Sequence, residues 1–360
     1  MDLCIASAKE HGLDAVLVSP GPDLRYLTGY DAIPLERLTC LVLSATAAPR
    51  IVVPGLEVPA ALASPIGALD IEIVAWEETD DPFALTASLL PAARRVAVDD
   101  HMWASKVLAL RDAMPAAHQV AAGAVIQELR MRKSAAEIAA LVAAGAAIDA
   151  VHAQVAGMLR VGRTEREVGA EIADAILAAG HSTVDFVIVA SGPNGASPHH
   201  ELSDRIIEAG DTVVVDIGGT MPDGYCSDST RMYSLGEPSA QAREEFEMLR
   251  LAQAAAVAAV RPGITCEELD AVARDYLAEA ALADFFIHRT GHGIGLETHE
   301  EPYIISGNAR VLEPGMAFSI EPGVYRAGSH GARIEDIVIC TADGFVNCNN
   351  RPHELIVVDI

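Results

Sequence analysis

Four short segments of this sequence each present a carboxylate, three of them within or at the end of an apolar run and one among hydroxyl residues. They are DTVVVDIGG (211–219), YCSDSTR (225–231), FSIEPG (318–323) and ARIEDIVI (332–339). In the first, three valines lead into Asp216, and such a run reads as a buried strand. A lone carboxylate withdrawn from water is unstable unless it is paired, protonated or bound to a cation. Three explanations are therefore open for Asp216: a strand-end turn, since Asp before Gly-Gly is common turn chemistry, a buried salt bridge, or a metal ligand. Two further segments present histidine. HRTGHGIGLETHE (288–300) carries His292 and His299, with glycines at 291, 293 and 295 that let backbone approach closely and hold unusual dihedrals. SGPNGASPHH (191–200) delivers His199 from a glycine-proline loop. The spacing of His292 and His299 suits two sides of one pocket. It is not the HExxH of a zinc helix, and GHGIG lacks the lysine and hydroxyl residue of a phosphate loop.

An internal repeat positions these groups. Capping-box sequences open helices at Ser134, Thr164 and Thr265. The segments VGRTEREVGAEIADAILAAG and RPGITCEELDAVARDYLAEA share a turn, a cap and an amphipathic pattern, offset by 101 residues. After each comes a strand, then a carboxylate-bearing strand, then another acidic segment. The repeat aligns Asp216 with Glu321, each expected at the end of its strand, and Asp228 with Glu335. Four carboxylates on facing strands around one pseudo-two-fold axis would repel one another, and divalent cations remove that cost. The metal reading of Asp216 now outweighs the turn.

The first 120 or so residues alternate strand-like segments (LDAVLVSP, TCLVLSA, RIVVPG, IEIVAW, RVAVDD) with helical ones, which makes a compact α/β domain. Near 119–123 the pattern changes to long Ala-rich helices, so the domains are expected at 1–122 and 123–360. A net charge of −26 without a long basic block argues against nucleic-acid binding. The Ala-rich stretches carry charge and read as packed helices, not membrane spans. No signal-peptide pattern opens the chain, and the six scattered cysteines form no CxxC pair, so a reducing, cytoplasmic location is expected. His11, His101, His118, His152 and His181 lack acidic motif partners and read as surface or core residues. His330 and His353 are left outside the ligand set.

The ordered set PHH, DIGG…DGYCSDSTR, TGHGIGLETHEEP, FSIEPGVY and ARIEDIVI resembles the pita-bread metallopeptidases of the Xaa-Pro dipeptidase (prolidase) and aminopeptidase P group. The resemblance covers nearly the whole chain. It implies an α/β creatinase-like N-terminal domain followed by an α+β pita-bread catalytic domain with an internal pseudo-two-fold repeat. It further implies two divalent metal ions per subunit, manganese first with cobalt, zinc or iron as alternatives, held by Asp216, Asp228, His292, Glu321 and Glu335. Asp228 and Glu335 would bridge the metals, Asp216 would hold one, and His292 with Glu321 the other. His199 and His299 match the family's nearby histidines, Glu321 its proton shuttle, and Arg333 the partner of the bridging carboxylate's strand. The implied reaction is attack by a metal-bridging hydroxide on the peptide bond before proline, and the implied assembly is a homodimer.

The same resemblance frames the rival functions. Methionine aminopeptidases lack the N-terminal domain, and creatinase works without the metal set. A non-catalytic peptide-binding or chaperone-like protein on this fold would have lost its ligands. Between dipeptidase and aminopeptidase P the dipeptidase is favoured, with peptides carrying proline at the second position as substrates. A dipeptidase needs a cation for the substrate's C-terminal carboxylate. Some prolidases use an arginine four residues after the histidine equivalent to His299. Here Tyr303 stands at that position, able to donate one hydrogen bond but no charge, which leaves Arg333 or a residue of another subunit as anchor. The segment YLTGY (26–30) and the loop after it are candidates for covering a neighbouring subunit's site, with a plain strand and turn as the alternative reading.

Overall fold

Ser134, Thr164 and Thr265 each accept a hydrogen bond from the backbone N–H three residues on, and the glutamate there accepts one from the cap's own N–H at 2.8 Å. These reciprocal bonds satisfy donors that a helix start otherwise leaves open. In the computed structural model, which describes residues 1–360, they open helices Ala135–Met158, Glu165–Ala178 and Cys266–Glu279. The last two are 14 residues each and stand in the register the repeat predicts.

The chain divides into two compact units, Met1–Arg130 and Met131–Ile360. The first holds a six-stranded mixed sheet, in spatial order Glu72–Trp76, Arg50–Pro54, Cys40–Ser44, Ala15–Val18, Arg95–Val98 and His118–Ala121. The last strand, HQVA, carries two polar residues in four and gave no alternation to read. The dividing point lies beyond the expected 122/123 because helix Gly123–Met131 belongs with the first unit: Val125 and Ile126 are buried in its core beside Leu27 and Tyr30. YLTGY is not a strand and turn. Pro22 at the first helical position and Asp23 in the first turn set up helix Pro22–Thr28, which Gly29 ends in the left-handed conformation.

The second unit holds two sheets joined along one edge. A four-stranded sheet runs Ile356–Val358, Cys226–Leu235, Thr212–Thr220, Thr183–Ser191, and a five-stranded one runs Glu300–Ile304, Gly291–Gly293, Ala317–Ile320, Asp336–Thr341, Gly344–Asn347. Each contains three consecutive antiparallel strands contributed by one repeat. Hairpin Gly323–Arg326/His330–Arg333 forms its own two-stranded sheet, packed against strand Thr212–Thr220. Helix Ala135–Met158 is apolar and long enough to cross a membrane by composition. Its buried face, including Leu141, Ile148, Val151 and Val155, instead packs against strand Cys226–Leu235. Gly145 lets the helix approach the segment after strand Gly344–Asn347, since a Cβ there would sit 2.4 Å from the Cys348 carbonyl.

Candidate metal centre

Asp216 lies in the middle of strand Thr212–Thr220, not at its end. The Gly218-Gly219 pair that suggested a turn continues the strand, paired with Asp228 and Ser227. Glycine is required there by close packing. A Cβ on Gly218 would meet the Phe186 ring at 2.5 Å, and one on Gly219 the Thr183 carbonyl at 2.6 Å. Because side chains alternate along a strand, Val213, Val215 and Ile217 enter the core under the helices, while Asp216 points to the opposite face. Asp216 pairs with Thr230 and Gly218 with Asp228, so both aspartates project from that same face.

The second repeat supplies the facing carboxylates. Glu321 follows strand Ala317–Ile320, and its N–H donates to the Thr290 carbonyl at 2.8 Å. Glu335 bridges to Thr230, joining the two half-sheets, and its Oε2 accepts from the Thr230 hydroxyl at 2.7 Å. His292 sits on the short strand Gly291–Gly293. The flanking glycines serve close approach and not unusual dihedrals: neither has a positive φ, and a Cβ on Gly291 would lie 1.9 Å from the Ser319 carbonyl. The His292 Nδ1–H donates to the Gly293 carbonyl at 3.1 Å. That leaves Nε2 facing Glu321 Oε1 at 3.2 Å and Asp228 Oδ2 at 3.7 Å, a place for a proton or a cation.

The electrostatics show how crowded the carboxylates are. Burial, then the charges of Glu335, Asp216 and Glu321, drive Asp228 well above the carboxylate range. Glu335 rises for the same reasons, burial first, then Glu321 and Asp216. Burial pushes Glu321 upward too, but the His292 hydrogen bond and charge, with His288 and Arg333, outweigh it and hold Glu321 down at about 2. Asp216 Oδ1 and Glu335 Oε1 are buried without a hydrogen-bond partner. Oxygen atoms left open in this way, beside one imidazole nitrogen, are the donor set that hard and borderline divalent ions take. Asp228, His292 and Glu335 bring ligand atoms within 4.8 Å of one another. The residues therefore fit a divalent metal centre.

A cavity of about 890 Å³ opens onto these groups, and all five expected ligands line it, as do His199, His299 and Arg333. His292 and His299 do not face each other across it. Their rings touch edge to face, centroids 4.0 Å apart. Burial, then His292 and Arg289, lower His299 to about 4, so its imidazole is neutral at pH 7. Arg333 is fully engaged elsewhere. It donates to Asp216 Oδ2 at 2.6 Å, the Tyr325 hydroxyl at 2.9 Å, the Pro198 carbonyl and the Thr230 hydroxyl. It thus has no fork free for a substrate carboxylate. Tyr303 is not among the lining residues; the Arg289 guanidinium lies over its ring, 4.3 Å from the centroid.

Three groups that position the site were not singled out in the sequence. Glu165, fully buried, accepts from Ser191 N–H and hydroxyl, Asn194 Nδ2, the Ser203 hydroxyl and the His200 ring, and so holds the loop that carries His199. Asp270 plays the matching part in the second repeat, accepting from the Thr290 N–H and hydroxyl two residues before His292. Tyr325 accepts from Arg333 and donates to His288 Nε2 at 2.9 Å. Glu165 and Asp270 lie within ordinary amphipathic helices, where an acidic residue near the start reads as a dipole partner. Only the FSIEPGVY motif gave Tyr325 any signal.

Fold and site define the class. Residues 111–342 match the model of metallopeptidase family M24, and residues 2–132 match the creatinase/prolidase N-terminal domain; the chain belongs to this family, a metallopeptidase with pita-bread architecture. It is similar to the "Probable dipeptidase PepE" of Mycobacterium tuberculosis, 55% identical over 99% of this chain and 96% of that protein. It is 37% identical to the Xaa-Pro dipeptidase of Lactobacillus helveticus, over 96% and 95% of the two chains. The crystal structure of dipeptidase PepE from Mycobacterium ulcerans superposes with a TM-score of 0.96 at 53% identity, covering 99% of this chain and 96% of that one.

Proposed function

We propose that this chain is a dipeptidase for Xaa-Pro substrates that works with two divalent metal ions. Asp216, Asp228, His292, Glu321 and Glu335 would hold the ions. The observation that carries this reading is the convergence of five donors on one cavity with Asp216 Oδ1 and Glu335 Oε1 left open. The Xaa-Pro dipeptidase of Lactobacillus helveticus supports the substrate class. Divalent ions held in such a site lower the pKa of coordinated water, so that hydroxide is available near neutral pH.

The chain's own groups do the rest. Glu321 is ionised at neutral pH, as the acceptor of the proton released by the attacking water has to be. The nitrogen that leaves is the proline imide, which has no hydrogen of its own and needs that proton delivered. His299, neutral and lining the cavity, donates an N–H to the carbonyl oxygen as negative charge develops there. His199 holds the substrate's carbonyl or tail from the opposite repeat, on the loop that Glu165 fixes.

The test is hydrolysis of Ala-Pro against Ala-Pro-Ala by protein stripped with a chelator and refilled with manganese. Metal-dependent release of alanine from the dipeptide, with little action on the tripeptide, is the expected result. Cleavage of the tripeptide alone would make it an aminopeptidase P, and inactivity on both would overturn the peptidase reading.

A further inference from the structure

A site that takes dipeptides and passes over longer peptides has to recognise the free C-terminal carboxylate. Two arginines line the cavity, Arg289 and Arg333. Arg333 is committed to Asp216, Tyr325, Thr230 and Pro198. Arg289 makes no ion pair, and its guanidinium lies over the Tyr303 ring. We infer that Arg289, seated on Tyr303, is the specificity residue that binds the C-terminal carboxylate of the dipeptide; this rests on the dipeptidase reading above.

The backbone on both sides of Arg289 is fixed to the site. The His288 ring donates through Nδ1 to the Arg289 carbonyl at 2.7 Å, and its Nε2 is held by the Tyr325 hydroxyl. Thr290 is tied to Asp270, and its carbonyl accepts from the N–H of Glu321 at 2.8 Å. The arginine is thus one residue from a peptide bonded to a proposed ligand, and three from His292. The side chain itself is seated on the ring of Tyr303. An arginine lying over an aromatic ring keeps the edge N–H groups of its fork available, and that fork matches a carboxylate in two parallel hydrogen bonds. Ile287 and Ile305 line the same cavity. Ile287 precedes Arg289 by two residues and Ile305 follows Tyr303 by two, so apolar surface suited to a pyrrolidine ring flanks the cation. Tyr303 therefore serves the carboxylate indirectly, as the platform for a cation supplied fourteen residues earlier in the chain.

The experiment compares Ala-Pro with its C-terminal amide, Ala-Pro-NH2, on manganese-loaded wild type, Arg289→Gln and Arg289→Lys. Wild type is expected to favour the free acid. Arg289→Gln should raise KM for Ala-Pro by about tenfold to a hundredfold, as expected on losing a charge-assisted bidentate pair, with kcat nearly kept and kinetics on the amide unchanged. Arg289→Lys should recover part of the loss. Calorimetric binding of the product L-proline should weaken in parallel, while L-prolinamide should not change. Because the guanidinium makes no hydrogen bond or ion pair within the chain, unchanged thermal melting is expected of both variants. If wild type discriminates acid from amide and Arg289→Gln retains that discrimination, Arg289 is not the anchor. If wild type is itself indifferent to the carboxylate, the dipeptidase reading falls, and this inference with it.

Discussion

The Arg333 guanidinium meets Asp216 Oδ2 at 2.6 Å, joining residues 117 positions apart and leaving the other Asp216 oxygen open to the cavity. One carboxylate is thereby both neutralised and oriented. Of the alternatives the sequence raised for Asp216, the buried ion pair is present, and the second oxygen of the same side chain stays without a hydrogen-bond partner.

Breaking that pair strands a buried charge. Arg333→Ala should cost about 3–5 kcal/mol of metal-free stability, read as a lowered denaturant midpoint. Arg333→Lys should recover only part, since a lysine cannot serve Asp216, Thr230 and Tyr325 in one plane.

Metal should reverse the pH dependence of stability. Asp228 and Glu335 titrate higher folded than unfolded, so the metal-free protein keeps their contribution below the ordinary carboxylate range. It loses that contribution as pH rises toward their raised values. Glu321 acts oppositely but at lower pH, its contribution vanishing as pH falls from about 4 toward the folded value of about 2. Melting of the chelated protein should therefore fall as pH rises above about 4, and Asp228→Asn should flatten that fall. The melting gain on adding manganese should instead grow with pH, because ligands bind deprotonated.

His292 and His299 touch, but removing each should do different things. His292→Ala should lower bound metal measured by elemental analysis. His299→Ala should retain metal and reduce kcat by about a hundredfold to a thousandfold, the scale of a lost oxyanion donor. Equal metal loss in both would remove His299 from the proposed donor role.

Glu165 touches no ligand, yet it anchors the loop of His199. Glu165→Gln should cost about 1–3 kcal/mol, since it leaves buried donors with a poorer acceptor, and should raise KM more than it lowers kcat. A melting shift with unaltered kinetics would confine Glu165 to a purely structural part.

Much of this protein is legible in its sequence, because the relevant information is local. Capping residues, strand runs and the 101-residue repeat follow from hydrogen-bond and burial rules that act over a few positions, and they sufficed to align Asp216 with Glu321 and Asp228 with Glu335. The family's motif order then supplied His292. Tertiary structure decided what depends on packing between distant segments. Gly218 and Gly219 read locally as a turn, and the Phe186 ring and the Thr183 backbone make them part of a strand instead. Sequence offers Arg333 both as a partner of the carboxylate strand and as an alternative substrate anchor, and the fold gives its fork to Asp216; it likewise lays the Arg289 guanidinium over the Tyr303 ring. A side chain's partner is set by where the fold brings other chains of atoms, and neither Glu165 nor Arg289 carries any neighbour in sequence that announces it.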